Sequence, residues 1–186
     1  MKKGIAMSTL LSTLLSIIGC SEKSTQYKQA EVYKDLRKQV FSISPSDLKI
    51  TRNESKIVYG VIMETGYPEA VVSLIAIGDG TVSLYFSNGG GIIGIGGHEK
   101  PKSICLDYIN DSNNFIKLAT KTDSNQLPNN GETIFYFLTF DGIYYFKEKE
   151  DTLGNNKSSF SKLFYKAQEL ITEARIIDED RRKNKP

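Results

Sequence analysis

Three runs of apolar residues follow one another between residues 56 and 87, and each has the length of a strand. They read KIVYGVIM, AVVSLIAI and TVSLYFS. Thr65-Gly66-Tyr67-Pro68 separates the first two, and Gly78-Asp79-Gly80 separates the last two. Glycine in such turns supplies the positive φ that a tight connection needs, so the pattern predicts a three-stranded meander. Because the runs are apolar at nearly every position, we expect both faces of this sheet to be covered.

A second β region reads ETIFYFLTF and then IYYFKEK, on either side of Asp141-Gly142. Two such runs around Asp-Gly predict a hairpin with a two-residue turn. Alternation along the strands divides the large residues between two faces. One face holds Tyr136, Leu138 and Tyr145, and the other holds Phe135, Phe137, Tyr144 and Phe146.

Helical spacing of apolar residues appears in three further segments. The first runs from Tyr27 to Val40, with Leu36 or Arg37 on its apolar stripe; the second follows Pro101; the third follows a serine cap at Ser158 or Ser159 and extends to Ile177. The predicted order is therefore α-β-β-β-α-β-β-α. It describes a single α+β domain over residues 27–177 with a mostly antiparallel sheet of about five strands, followed by a charged, solvated tail over residues 178–186.

The chain begins with Lys2 and Lys3, an apolar stretch from Ile5 to Ile18, and then Gly19-Cys20. This is the pattern of a secretory signal peptide. Its end, Ile17-Ile18-Gly19-Cys20, resembles the lipobox of bacterial lipoproteins. An ordinary soluble secretory signal, in which Cys20 has no role, is the alternative.

The resemblance implies that residues 1–19 are removed and that Cys20 carries the lipid, with residues 20–26 tethering the domain to a membrane of the bacterial cell envelope. Several acyl chains are needed for stable anchoring. Ser21 is not the aspartate that retains many lipoproteins at the inner membrane, which favours the outer membrane if the cell has two.

The charge and the cysteine content of the chain exclude some classes of function and of covalent link. Removing Lys2 and Lys3 from the 24 basic residues leaves 22, which equals the number of acidic residues. A neutral chain lacks the basic footprint of a nucleic-acid-binding protein. With Cys20 lipidated, Cys105 has no cysteine to pair with, and we expect it to be a small buried residue.

The most unusual segment is FSNGGGIIGIGGH, residues 86–98, which ends on the only histidine of the chain. Gly89-x-Gly91-x-x-Gly94 matches the spelling of a dinucleotide-binding fingerprint, but that motif needs a parallel strand before it and a βαβ unit around it. A P-loop is excluded because no Gly-Lys-Ser/Thr follows. The favoured interpretation is a close strand-to-helix crossover with Ile92, Ile93 and Ile95 in the core.

Two functions remain open after these exclusions. The favoured one is a membrane-anchored, non-enzymatic binding module with a protein partner. The alternative is a small-ligand-binding or hydrolytic domain that uses the Gly-rich loop, residues 88–98; no metal or cofactor is predicted for either. The ligand site of that alternative would comprise Thr65, Ser87, Asn88, Gly94, Gly96, Gly97 and His98. Glu64 and Glu69, which flank one turn, are a further possible carboxylate pair.

The stretch from Val58 to His98 also resembles a family of small uncharacterised bacterial proteins. The shared pattern comprises a Gly-x-x-Met-x-Thr-Gly strand end, a Gly-Asp-Gly-Thr turn and Ser-Asn-Gly-Gly-Gly-Ile-Ile-Gly, with a later Thr-Phe-Asp-Gly and a terminal Ser-Lys-Leu-Phe helix. The resemblance covers most of residues 58–177 and implies no activity.

Overall fold

Seven strands and four helices make up most of residues 25–52 and 57–184, the part of the chain that the computed structural model describes. The predicted signal peptide, Cys20 and residues 21–24 of the predicted tether lie outside it. The helices are α1 (Glu31–Ser42), α2 (Glu99–Ser112), α3 (Glu150–Gly154) and α4 (Ser161–Lys183). The strands are β1 (Val58–Gly66), β2 (Val71–Ile77), β3 (Val82–Phe86), β4 (Gly91–Ile92), β5 (Thr120–Thr122), β6 (Glu132–Thr139) and β7 (Gly142–Lys149). Two 3₁₀ turns, Ile95–Gly97 and Asn113–Leu118, flank α2.

All seven strands form one sheet in the order β4-β3-β2-β1-β6-β7-β5, and every pairing between neighbours is antiparallel. The predicted meander is β1 to β3 and the predicted hairpin is β6 and β7, joined through the β1–β6 pair. The α+β class and the antiparallel sheet are confirmed. The expected count of five strands is wrong, because β4 and β5, of two and three residues, are too short to show a strand periodicity in the sequence.

Both faces of the sheet are covered, as the apolar strand runs predicted. Every residue of β1 is buried. One face packs against α2 and α4 around Val61, Phe137 and Leu163. The other packs against α1 and the segment that follows it, around Tyr33 and Tyr136. The domain therefore has a helix layer on each side of the sheet.

The β6–β7 hairpin closes one residue earlier than predicted. Thr139 lies opposite Gly142, so Phe140 and Asp141 form the tip. The Thr139 hydroxyl donates to the carbonyl oxygen of Gly142 (2.7 Å) and accepts from the amide of Asp141 (3.1 Å), which fixes this turn. The predicted division of the large residues between the two faces is nevertheless confirmed, since the register changes by an even number of residues.

Two helix boundaries differ from the predictions. The first helix begins at Glu31, because Ala30 is extended and its amide donates to the carbonyl oxygen of Ser87 (2.8 Å). The last helix continues to Lys183, so a tail beginning at residue 178 is wrong. An i, i+4 ion pair between Arg182 and Asp178 adds a small stabilisation to this end of the helix. None of the helices described is long and apolar enough to cross a membrane.

Candidate functional site

The glycine segment, residues 86–98, turns back along the edge of the sheet. After β3 it pairs with that strand again as β4, with Gly91 opposite Tyr85, and then reaches the opposite end of β3. There Gly96 packs so closely on the chain that a Cβ would lie 2.0 Å from the Gly80 carbonyl oxygen. The predicted close crossover is therefore present. Ile92 and Ile95 are buried as expected, but Ile93, the residue that follows β4, is 57% exposed, so its predicted place in the core is wrong.

The residues predicted to form a ligand site do not come together. The Ser87 hydroxyl accepts a hydrogen bond from the Val71 amide (2.8 Å), and the Thr65 and Thr133 hydroxyls bond to each other at 2.9 Å. Ser87 and Thr65 are both buried, and they lie at the end of the sheet where β1 ends. His98 is exposed beside Gly96, at the other end of β3. The predicted site is thus divided between two ends of the sheet.

The second half of the glycine segment binds a cationic group of the chain itself. The Arg181 guanidinium of α4 donates to the carbonyl oxygens of Ile93 (2.8 Å) and Gly94 (3.2 Å), and it lies 3.4 Å from Nε2 of His98. The amide of Gly97 donates to the carbonyl oxygen of Gly94. His98 is an exposed residue that precedes α2 and makes no side-chain hydrogen bond to the helix. This turn presents carbonyl oxygens to an arginine, whereas an anion-binding turn presents free backbone amides to its ligand.

The first half of the segment lines a groove with a volume of about 670 Å³. Gly89, Gly90 and Gly91 form one wall and the second half of α4 forms the other. A Cβ at Gly90 would meet no atom within 4 Å, so this wall is open. The floor is apolar and includes Leu84, Phe86, Ile92 and Ile171, and the rim is polar and includes Tyr67, Gln168, Arg175, Asp178, Glu179 and Arg182. Apolar residues that could be covered by a ligand, next to polar groups that could orient it, are features that binding sites share.

A buried charge cluster lies on the opposite face of the sheet, under α1. The Glu64 side chain is 0% exposed and its carboxylate accepts hydrogen bonds from Arg37 Nε (2.8 Å), Arg37 Nη2 (2.7 Å) and the Ser73 hydroxyl (2.9 Å). The Tyr33 hydroxyl lies 3.3 Å from the same carboxylate. Arg37 also donates to the Asn125 carbonyl oxygen and lies 4.7 Å above the Phe41 ring. These contacts join α1, the sheet and the loop before β6.

The electrostatics of this cluster follow from burial and from the ion pair. Desolvation would lower the pKa of Arg37, but the hydrogen bonds and charge of Glu64 outweigh it, so the pKa is raised. Burial raises the pKa of Tyr33, and the charge of Glu64 raises it further. Arg37 is thus a permanent cation paired with a buried carboxylate, which is the arrangement of a structural ion pair.

The sequence contained only a weak signal for this cluster. Arg37 occupied a position on the apolar stripe of the predicted first helix, where a cation needs a partner in the layer beneath it. Glu64 was considered together with Glu69, but alternation places Glu64 inside the sheet, whereas Glu69 is exposed in the following turn. The possible carboxylate pair is therefore wrong.

Cys105 is buried in α2, as expected. Its thiol donates to the Ile77 carbonyl oxygen at 3.4 Å, and burial raises its pKa to about 12. Such a thiol is a poor nucleophile because it stays protonated. Among residues 25–52 and 57–184, no three His, Cys, Asp or Glu side chains are grouped so that they could hold a metal ion.

The chain matches no family model, and the comparisons with curated proteins and with solved structures find no match either. The resemblance to a family of small uncharacterised bacterial proteins therefore stays a prediction. Any function has to be argued from the groove, the charge cluster and the predicted lipid anchor.

Proposed function

We propose that this protein is a lipid-anchored, non-enzymatic binding module of the bacterial cell envelope, and that its binding surface is the groove between the glycine segment and α4. The observation that carries the proposal is the composition of this groove, which combines an apolar floor with an open backbone wall and a charged rim. In an envelope with two membranes, the outer one is the expected location.

The proposed occupant is an extended segment of another envelope protein. The apolar side chains of such a segment would cover Phe86 and Ile171 on the groove floor. Arg175 is exposed on the rim, and it favours an acidic residue in the partner. Arg182 is already paired with Asp178, so Arg175 is the better residue to alter.

A hydrolytic function at residues 88–98 has less support. A hydroxyl nucleophile needs a base within hydrogen-bond reach. The Ser87 and Thr65 hydroxyls are engaged inside the sheet, and Nε2 of His98 lies 3.4 Å from the Arg181 guanidinium. Release of nitrophenol from a nitrophenyl ester by the purified protein, abolished in His98→Ala, would favour the enzyme instead.

The anchor is tested with Cys20→Ala. In the organism's own cells, the wild-type chain should incorporate labelled fatty acid and float with membranes, whereas Cys20→Ala should remain an uncleaved, unlabelled precursor. Equal labelling of the two proteins would remove the lipoprotein proposal.

The groove is tested by site-specific photo-crosslinking from α4 in intact cells. Gln168 lines the groove, whereas the exposed Glu169 lies about 100° further round α4 and does not. A photoreactive residue at position 168 should give a discrete crosslinked product that is weakened by Arg175→Glu, and the same residue at 169 should not. The same product from both positions, unaffected by Arg175→Glu, would contradict the assignment of the groove.

A further inference from the structure

The chain enters the domain at one end of the sheet, which we call the Thr25 end. It comprises Thr25, residues 67–70 and residues 129–131. The Thr25 amide donates to Oδ1 of Asn129 (2.8 Å), and the Thr25 hydroxyl accepts from the Asn130 amide (3.0 Å). Asn130 in turn bridges to Gly66, the last residue of β1. The first described residue of the chain is therefore fixed to the end of the central strand.

Two contacts make this attachment close. A Cβ on Gly66 would lie 2.2 Å from the Asn129 carbonyl oxygen and 2.6 Å from the Tyr27 hydroxyl. Only a residue without a Cβ allows both segments to pack there. Farther along, the Ala30 amide donates to the Ser87 carbonyl oxygen, so the whole segment from Thr25 to α1 follows this end of the sheet.

Covalent geometry limits how far the Thr25 end can lie from the lipid. Five peptide steps separate Cys20 from Thr25, and a fully extended chain spans at most about 3.3–3.6 Å per residue, or roughly 17 Å in all. The opposite end of the sheet carries the turns at Asp79 and Asp141. It is farther away by the length of β1, about 30 Å at roughly 3.4 Å per residue.

We propose that the Thr25 end faces the bilayer, with the strands of the sheet directed away from the membrane; this inference rests on the proposed lipid anchor at Cys20. This end carries the acidic residues Glu69 and Glu150 and one exposed aromatic side chain that suits a headgroup region. Tyr67 is 37% exposed at the turn, next to Pro68, and tyrosine is enriched where proteins meet lipid headgroups. Tyr67 also lines the groove, so the groove opens close to the membrane and its occupant is a membrane-proximal segment of the partner protein.

The test uses the lipidated full chain in vesicles of phosphatidylcholine and phosphatidylglycerol that contain a nickel-chelating headgroup lipid. A spin label is attached at Glu69→Cys, in the Thr25 end, or at Asp141→Cys, at the opposite end. Both substitutions remove one exposed acidic residue from a turn. Asp141→Cys also removes the exposed ion pair with Arg52, so Arg52→Ala in the label-69 chain serves as its control. A chain without an added cysteine controls for labelling of the buried Cys105.

We expect nickel-dependent relaxation of the label at position 69 to exceed that at 141 several-fold. Inserting a long Gly-Ser linker before Thr25, or Asn129→Ala to remove one attachment, should reduce the difference. Equal relaxation at the two positions, or stronger relaxation at 141, would overturn the orientation while leaving the anchor intact. Flotation separates the two claims: a wild-type chain that does not float with vesicles would overturn the anchor and the orientation together.

Discussion

The buried ion pair under α1 leads to a double-mutant experiment with Arg37→Met, Glu64→Gln and the two combined. Arg37→Met keeps most of the side-chain volume but removes both guanidinium hydrogen bonds to Glu64. The Glu64 carboxylate would then be fully buried with no opposite charge beside it. Removing one partner of a buried pair costs about 3–5 kcal/mol, a large part of the roughly 5–15 kcal/mol that stabilises a domain.

The reverse substitution should be milder. The Arg37 side chain is 13% exposed, whereas Glu64 is 0% exposed, so an unpaired guanidinium reaches water and an unpaired carboxylate does not. Glutamine at position 64 also keeps an oxygen that accepts from the Ser73 hydroxyl. We expect Glu64→Gln to cost about 1–3 kcal/mol, the usual range for a disrupted buried hydrogen bond.

The double variant should lose less stability than the sum of the two single variants, because the second substitution removes the charge that the first left unpaired. The measurement is urea unfolding followed by circular dichroism, with hydrogen exchange of the α1 amides as a local readout. Loss of the pair should increase exchange in α1 before it affects β1. The reasoning would be refuted by an Arg37→Met variant within about 0.5 kcal/mol of wild type, the range of ordinary surface substitutions, or by strictly additive costs.

Three further predictions concern the glycine contacts and the buried titratable groups. Gly66→Ala should lower the free energy of unfolding in urea by about 1–3 kcal/mol, because the new Cβ would overpack against Asn129. Gly97→Ala should be nearly neutral in the same measurement, because a Cβ there meets nothing within 4 Å. Equal effects of the two substitutions would contradict the packing argument. Because burial raises the pKa of the Cys105 thiol to about 12, iodoacetamide at pH 8 should modify it only after denaturation, as mass spectrometry would show; rapid modification of the folded chain would count against this. Burial also raises the pKa of Tyr33 and Tyr136, so their contribution to stability is complete below about pH 10 and is lost as the pH rises above it. The absorbance of their tyrosinate forms should therefore appear together with the loss of circular dichroism. Titration of all tyrosines near pH 10 in a protein that is still folded would disprove this.

The parts of the fold that could be predicted are those in which one periodicity continues over many residues. The run from Val58 to Met63 is apolar at nearly every position because the strand is central and covered on both faces. The last helix shows an apolar stripe because one side of it lies on the sheet. The prediction ended this helix too early because residues 178–183 carry no apolar stripe, although they continue the helix and Arg181 contacts the glycine segment.

The candidate site was harder to predict because it depends on contacts between distant parts of the chain. The spacing of glycines between 89 and 97 indicates a close approach of the backbone. It does not show that the chain runs back along β3 as β4, so that His98 and Ser87 lie at different ends of β3. Arg37 and Glu64 are separated by 27 residues and lie in different layers. Sequence periodicity describes which residues are buried, but it does not identify which buried charge meets which.

The brevity of β4 and β5 has a consequence for behaviour at high local concentration. These are the two edge strands of the sheet, and they have two and three residues. Arg181 donates hydrogen bonds to carbonyl oxygens just beyond β4. An unprotected edge strand offers a row of unpaired backbone groups with which a strand of a second copy can pair. If the chain is held by lipid in the plane of a membrane, as proposed, neighbouring copies meet often, and short edge strands would disfavour strand pairing between them.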